Sequence, residues 1–128
     1  MRRLIALCVS GFLGTLVYAH HSFPAIYDVD EGLVMEGNIT RFLFRNPHSF
    51  IFLEVLDADG AASEWHIELA PAAVLGRLED ASIGAGDELL VLCNPARDGG
   101  RSCGIAYEGG FLRKSDEFLH GDDPREAK

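Results

Sequence analysis

Basic residues are scarce in this chain. Lys and Arg number 11 against 20 Asp and Glu, for a formal net charge of −9. Nucleic-acid binding needs clustered Lys and Arg to neutralise phosphates, and this chain repels phosphate instead. The same balance disfavours anionic lipid and mildly favours cationic partners or metal ions. Phosphate-cradling loops are missing as well, because Gly99-Gly100 and Gly109-Gly110 read as turn material rather than a P-loop. The serines beyond the N-terminal segment, Ser22, Ser49, Ser63, Ser82, Ser102 and Ser115, include none in a nucleophile elbow. Paired carboxylates occur, but sequence order assigns them no acid and base roles. An enzyme reading therefore has little support. Long apolar runs are absent too: Leu4 to Val17 falls short of the ~20 residues that a membrane helix needs. No membrane span and no nucleic-acid partner are expected.

What the chain does have is a junction, Val17-Tyr18-Ala19-His20-His21-Ser22-Phe23. Arg2 and Arg3 precede the short apolar run, and Val17 and Ala19 put small residues at the −3 and −1 positions of a signal-peptidase site. Cys8 does not read as a lipoprotein site, because Leu7 stands where a small residue is expected. Cleavage after Ala19 is expected to release a periplasmic or secreted protein of 109 residues that begins at His20. The loss of Arg2 and Arg3 would leave nine basic residues against twenty acids, a net of −11. That length suits one domain, burying roughly 60–70% of its extended-chain surface.

Cys93 and Cys103 remain after cleavage. An even pair in an exported chain reads as a disulfide, here closing a loop of about ten residues. The redox or metal alternative lacks C-x-x-C spacing.

The expected organisation is a signal peptide over 1–19, an N-terminal arm over 20–32, a β domain over 33–115 and a disordered acidic tail over 116–128. From Leu33, alternation places Leu33, Met35, Gly37, Ile39, Arg41 and Leu43 on one strand face. Asn46-Pro47 breaks the run. A second strand follows from His48 to Leu56, then a turn at Asp57-Ala58-Asp59-Gly60 and a third strand from Ser63 to Leu69. Pro71 suits a first helical turn. A short helix from about Pro71 to Glu79 would lay Val74, Leu75 and Leu78 on one side. Gly84-Ala85-Gly86-Asp87 turns into a fourth strand from Glu88 to Cys93, and a fifth runs from about Ser102 to Tyr107. This order predicts a mainly β fold, a small five-stranded OB-like barrel with one short helix between strands three and four. An open β-sandwich is the plain alternative.

These residues carry a family likeness. Ala19-His20-His21-Ser22-Phe23, Gly37-Asn38-Ile39-Thr40 and Asn46-Pro47-His48 begin it. Trp65 with Glu68, Pro71 and Leu75, Gly86-Asp87-Glu88 and Pro95-Ala96-Arg97-Asp98-Gly99 extend it. In their order and spacing the chain resembles the bacterial family labelled domain of unknown function 6152, small exported proteins, over about residues 19–108. The chain departs from that pattern after Arg77, where Leu78-Glu79-Asp80 stands in place of a Gly-Trp step. Cys93 and Cys103 are not part of it. The resemblance implies fold and export, and no activity.

Histidines supply the candidate site. A terminal histidine chelates metal through its free amine and its ring nitrogen together. The expected copper site uses His20, His21 and His48, because imidazole and amine nitrogens suit tetragonal Cu(II). With Ile51, Leu53 and Val55 inward, His48, Phe50, Phe52 and Glu54 face outward, and Glu64, His66 and Glu68 join them from the third strand. That outer face is where OB barrels hold ligands. His66, Glu68, Phe50, Phe52 and Trp65 are the candidate ligand face or second shell, with Glu68 a carboxylate able to orient a ligand imidazole. Bland readings stand beside these. His20 and His21 read also as solvated residues of a frayed arm, His48 as bonding loop backbone and His66 as an exposed strand residue. Trp65 reads as core, Phe50 and Phe52 as cover under the arm, and Glu68 as partner to a backbone donor near the helix start. Two functions follow: an exported copper-binding accessory protein, or a metal-free module that binds a protein or small-molecule partner on the face of strands two and three.

Overall fold

The computed structural model describes residues 22–76, 83–105, 111–114 and 117–121. Among the described residues one short helix, α1 (Phe23–Ile26), is followed by seven strands: β1 (Leu33–Leu43), β2 (Ser49–Leu56), β3 (Ala62–Leu69), β4 (Glu88–Pro95), β5 (Ser102–Gly104), β6 (Phe111–Lys114) and β7 (Glu117–Gly121). The first half of β1 pairs with β4 and the second half with β2. β2 pairs with β3, β3 lies parallel to β5, and β5 returns to β4. The ring β1-β2-β3-β5-β4-β1 is a closed five-stranded barrel. One long strand shared between two partners achieves closure, which removes the free sheet edges an open sandwich would expose.

Alternation explains the filling. Met35, Ile39, Ile51, Leu53, Ile67, Leu69, Leu89 and Val91 all point inward and form one buried cluster. Gly37 sits where β1 and β2 approach too closely for a side chain, since a Cβ there would strike the Glu54 carbonyl. Cys93 and Cys103 are bonded across β4 and β5, with Cα atoms 5.8 Å apart, and both are buried in the core.

Two expectations need correction. Strict alternation along β1 put Arg41 and Leu43 on the inner face with Ile39. The register instead shifts between Ile39 and Arg41, so that Ile39 faces Leu53 while Arg41 faces Phe52. This β-bulge leaves Thr40 and Arg41 both exposed and packs Phe42 against the core. The tail expected to be disordered from Asp116 contributes β7, which pairs with β6 and buries Leu119. The segment from Pro71 turns through bonds from Val74 N to Pro71 O and Leu75 N to Ala72 O, which bury Leu75 and leave Val74 57% exposed. Residues 77–79 of the expected helix lie outside the described residues, as do residues 105–107 of the fifth strand in part, beyond Ile105. The helix that is described precedes β1.

Candidate functional site

Glu68 is the hub of the outer face. It stands on β3 opposite Phe50 of β2, and its alternation with the inward Ile67 and Leu69 turns the carboxylate out of the barrel. His48 Nδ1 lies 2.8 Å from Glu68 Oε1. Tyr27 Oη donates to Glu68 Oε2 at 2.5 Å. A carboxylate only accepts, so in the neutral imidazole the proton sits on Nδ1 and Nε2 is the free ring nitrogen. The His48 side chain is 48% exposed and that of Glu68 19%, so the free nitrogen has access to solvent while its partner is held at the protein surface.

The loop that carries His48 is itself fastened. Ser49, fully buried, donates through Oγ to the Arg45 carbonyl and accepts from Arg45 N. Ala72 N bonds Arg45 O, and Ala73 N bonds Asn46 Oδ1. The break seen at Asn46-Pro47 is thus a turn closed on both sides, with a cis peptide bond between these residues.

Tyr27 comes from the arm, and the arm is docked. Tyr27 bridges to Ala96, Asp28 N bonds Pro95 O, and Arg97 N bonds Ile26 O. The Arg97 guanidinium donates to Pro24 O and to Asp28. The rings of Phe23 and Tyr27, 4.8 Å apart, rest on Gly104 of β5. A Cβ at that position would come within 2.5 Å of Phe23 and 2.8 Å of Tyr27. Glycine in a strand marks such a close approach. Burial, and then the Glu68 hydrogen bond and charge, push the Tyr27 phenol well above its ordinary range.

Further along the face, Phe52 is enclosed by its own neighbours. The Arg41 guanidinium lies 3.8 Å from the ring centroid, and His66 packs edge-on at 4.7 Å. Phe52 is only 8% exposed as a result. His66 is 3.5 Å from Glu64, and Thr40 Oγ1 bonds the same carboxylate. Arg45 approaches Phe50 at 5.4 Å.

The sequence candidates therefore separate. His48 and Glu68 are brought together, and Glu68 is bonded to side chains rather than to a backbone donor. His66 pairs with Phe52 and Glu64, not with His48. Trp65, grouped above with the ligand face, is partly buried and packs against the core, because its β3 parity is that of Ile67. His20 and His21 lie outside the described residues. Among the described residues no group of three or more His, Cys, Asp and Glu is arranged to hold a metal. Sequence reasoning missed Tyr27, Arg97 and Arg41. The first lies in an arm without periodicity, and the last reaches the face only through the bulge. Gly104, a glycine inside a predicted strand, was the available signal for arm docking.

No helix among the described residues is long and apolar enough to cross a membrane. Comparison with curated proteins found no match, and comparison with solved structures found none. A family model described as a family of unknown function (DUF6152) matches residues 9–106, so the chain belongs to that family.

Proposed function

We propose that this is an exported accessory protein that binds Cu(II) at its mature N-terminus, with the His20 amine and imidazole, His21 and His48 as donors. The observation that carries this reading is the contact between Glu68 and His48 Nδ1. A ligand histidine characteristically gives its other ring N–H to a carboxylate, which fixes its tautomer and raises its basicity. Arm docking supports the same reading. Phe23 rests on Gly104, Gly104 pairs with Glu68, and Glu68 holds His48. Amine and imidazole nitrogens without thiolate favour Cu(II), and Cys93 and Cys103 are committed to each other.

The metal-free reading needs an open aromatic surface on β2 and β3. Arg41 and His66 already cover Phe52, which favours the metal reading. Cu(II) titration of protein that begins at His20 tests it. Binding that weakens at least about tenfold in His48→Ala is the expected result, and a parent protein that takes up no Cu(II) would overturn it.

A further inference from the structure

Glu68 has two oxygens, and each holds one partner. Oε1 faces His48 Nδ1 and Oε2 accepts from Tyr27. A carboxylate held at one oxygen only can rotate about its last side-chain bond, which has broad, shallow preferences. Held at both, it is fixed. The Tyr27 that supplies the second hold is 3% exposed. Its placement depends on the docked arm: the bridge to Ala96, the Asp28 to Pro95 bond, the Arg97 contacts and the Gly104 floor.

We propose that Tyr27 is a positioning residue for His48, acting through Glu68, so that docking of the arm and the aim of the imidazole are one event. The inference rests on the copper reading above for its purpose, but not for its geometry. When the arm is down, Tyr27 pins the carboxylate, the carboxylate holds the proton on His48 Nδ1, and Nε2 is presented bare. When the arm lifts, Oε2 loses its donor, Glu68 turns, and the imidazole is free to carry its proton on Nε2. The nitrogen that would bind metal must then return its proton to Nδ1 before it coordinates. The other charged groups near Tyr27 do not supply a competing hold. Asp98 repels rather than bonds the phenolate form, and Asp28 is engaged by Arg97.

Tyr27→Phe tests this directly, because it keeps the ring on Gly104 and removes only the hydroxyl. The experiment reads the 15N shifts of the neutral imidazoles in metal-free protein beginning at His20, with Cu(II) affinity measured alongside. The parent is expected to show His48 as the Nδ1–H tautomer. Tyr27→Phe is expected to move His48 substantially to the Nε2–H tautomer and to leave His66 unchanged. Cu(II) affinity should fall about threefold to tenfold, less than the 10–100-fold seen when the group touching the ligand is itself removed. Gly104→Ala, which displaces the arm but keeps the hydroxyl, should produce the same tautomer change. An unchanged His48 tautomer in both variants overturns the proposal even if copper binds. A tautomer shift in a parent that binds no Cu(II) supports the coupling and overturns the copper reading alone.

Discussion

At the scale of residues, the outer face is governed by which side chain holds which. Glu68→Leu removes the acceptor for both His48 and Tyr27. A buried phenol that loses its carboxylate acceptor costs about 1–3 kcal/mol, the upper part being offset by the Ser102 hydroxyl beside it, so thermal unfolding should show a loss within that range. A loss within ~0.3 kcal/mol would mean that water replaces the carboxylate. Arg41→Ala should cost only about 0.5–1 kcal/mol, the range of an exposed cation–π contact, while uncovering Phe52. The face was partly legible. Alternation alone put His48, Phe50, Phe52, His66 and Glu68 on one side, and the pairing of Phe50 with Glu68 and Phe52 with His66 keeps that parity. Arg41 was not legible, because a bulge of one residue reverses alternation and leaves no mark in composition. Neither was Tyr27, since long-range docking of an aperiodic arm depends on a surface assembled from other strands.

At the scale of elements, the motifs that carry the family likeness are scattered in sequence and converge in space. Pro95-Ala96-Arg97 receives the arm, Glu68 meets His48, and Gly86-Asp87 closes on Ile39 through the bonds Gly86 N to Ile39 O and Ile39 N to Asp87 O. The order strand, strand, strand, helix, strand, strand was readable from periodicity and turn residues, and it was enough for the barrel. Strand ends were not readable: β5 stops at Gly104, and β4 continues to Pro95, where it meets both the arm and β5. The disulfide ties the two strands that flank this receiving loop. Replacing Cys93 and Cys103 together by Ala removes a cross-link over a sequence separation of 10, which should cost roughly 2–3 kcal/mol. For a domain of this size that lowers Tm by about 10–20 °C, readable by circular dichroism. An unchanged Tm would show that the core alone sets the stability.

At the scale of the whole molecule, pH acts through groups at opposite ends of the range. The Tyr27 phenol titrates above its ordinary value near 10.0 in the folded state. Below that value both folded and unfolded chains keep the proton, and the contribution is fully present. As pH rises past it the unfolded phenol ionises first, so stability falls. Tyr27→Phe should flatten this alkaline limb, and a limb of equal slope would assign it to other groups. Asp87 behaves oppositely. Lys114 at 3.0 Å and the Gly84 N–H hold its carboxyl below the usual range, so its contribution is present above that range and is lost as pH falls through the lowered value. The proposed copper binding should carry its own dependence and weaken as pH drops, because a protonated ring cannot coordinate.

The central claim is that the chain binds Cu(II) through a free N-terminal His20 brought to His48 by the docked arm. Its most direct test is Cu(II) titration of two proteins side by side, both beginning at His20, one with a free terminal amine and one with that amine acetylated. The account predicts a single Cu(II) with nitrogen-only ligation in the first, and binding weaker by at least about tenfold in the second, because acetylation removes the amine from the chelate. Equal binding by the two proteins, or none by either, would contradict it.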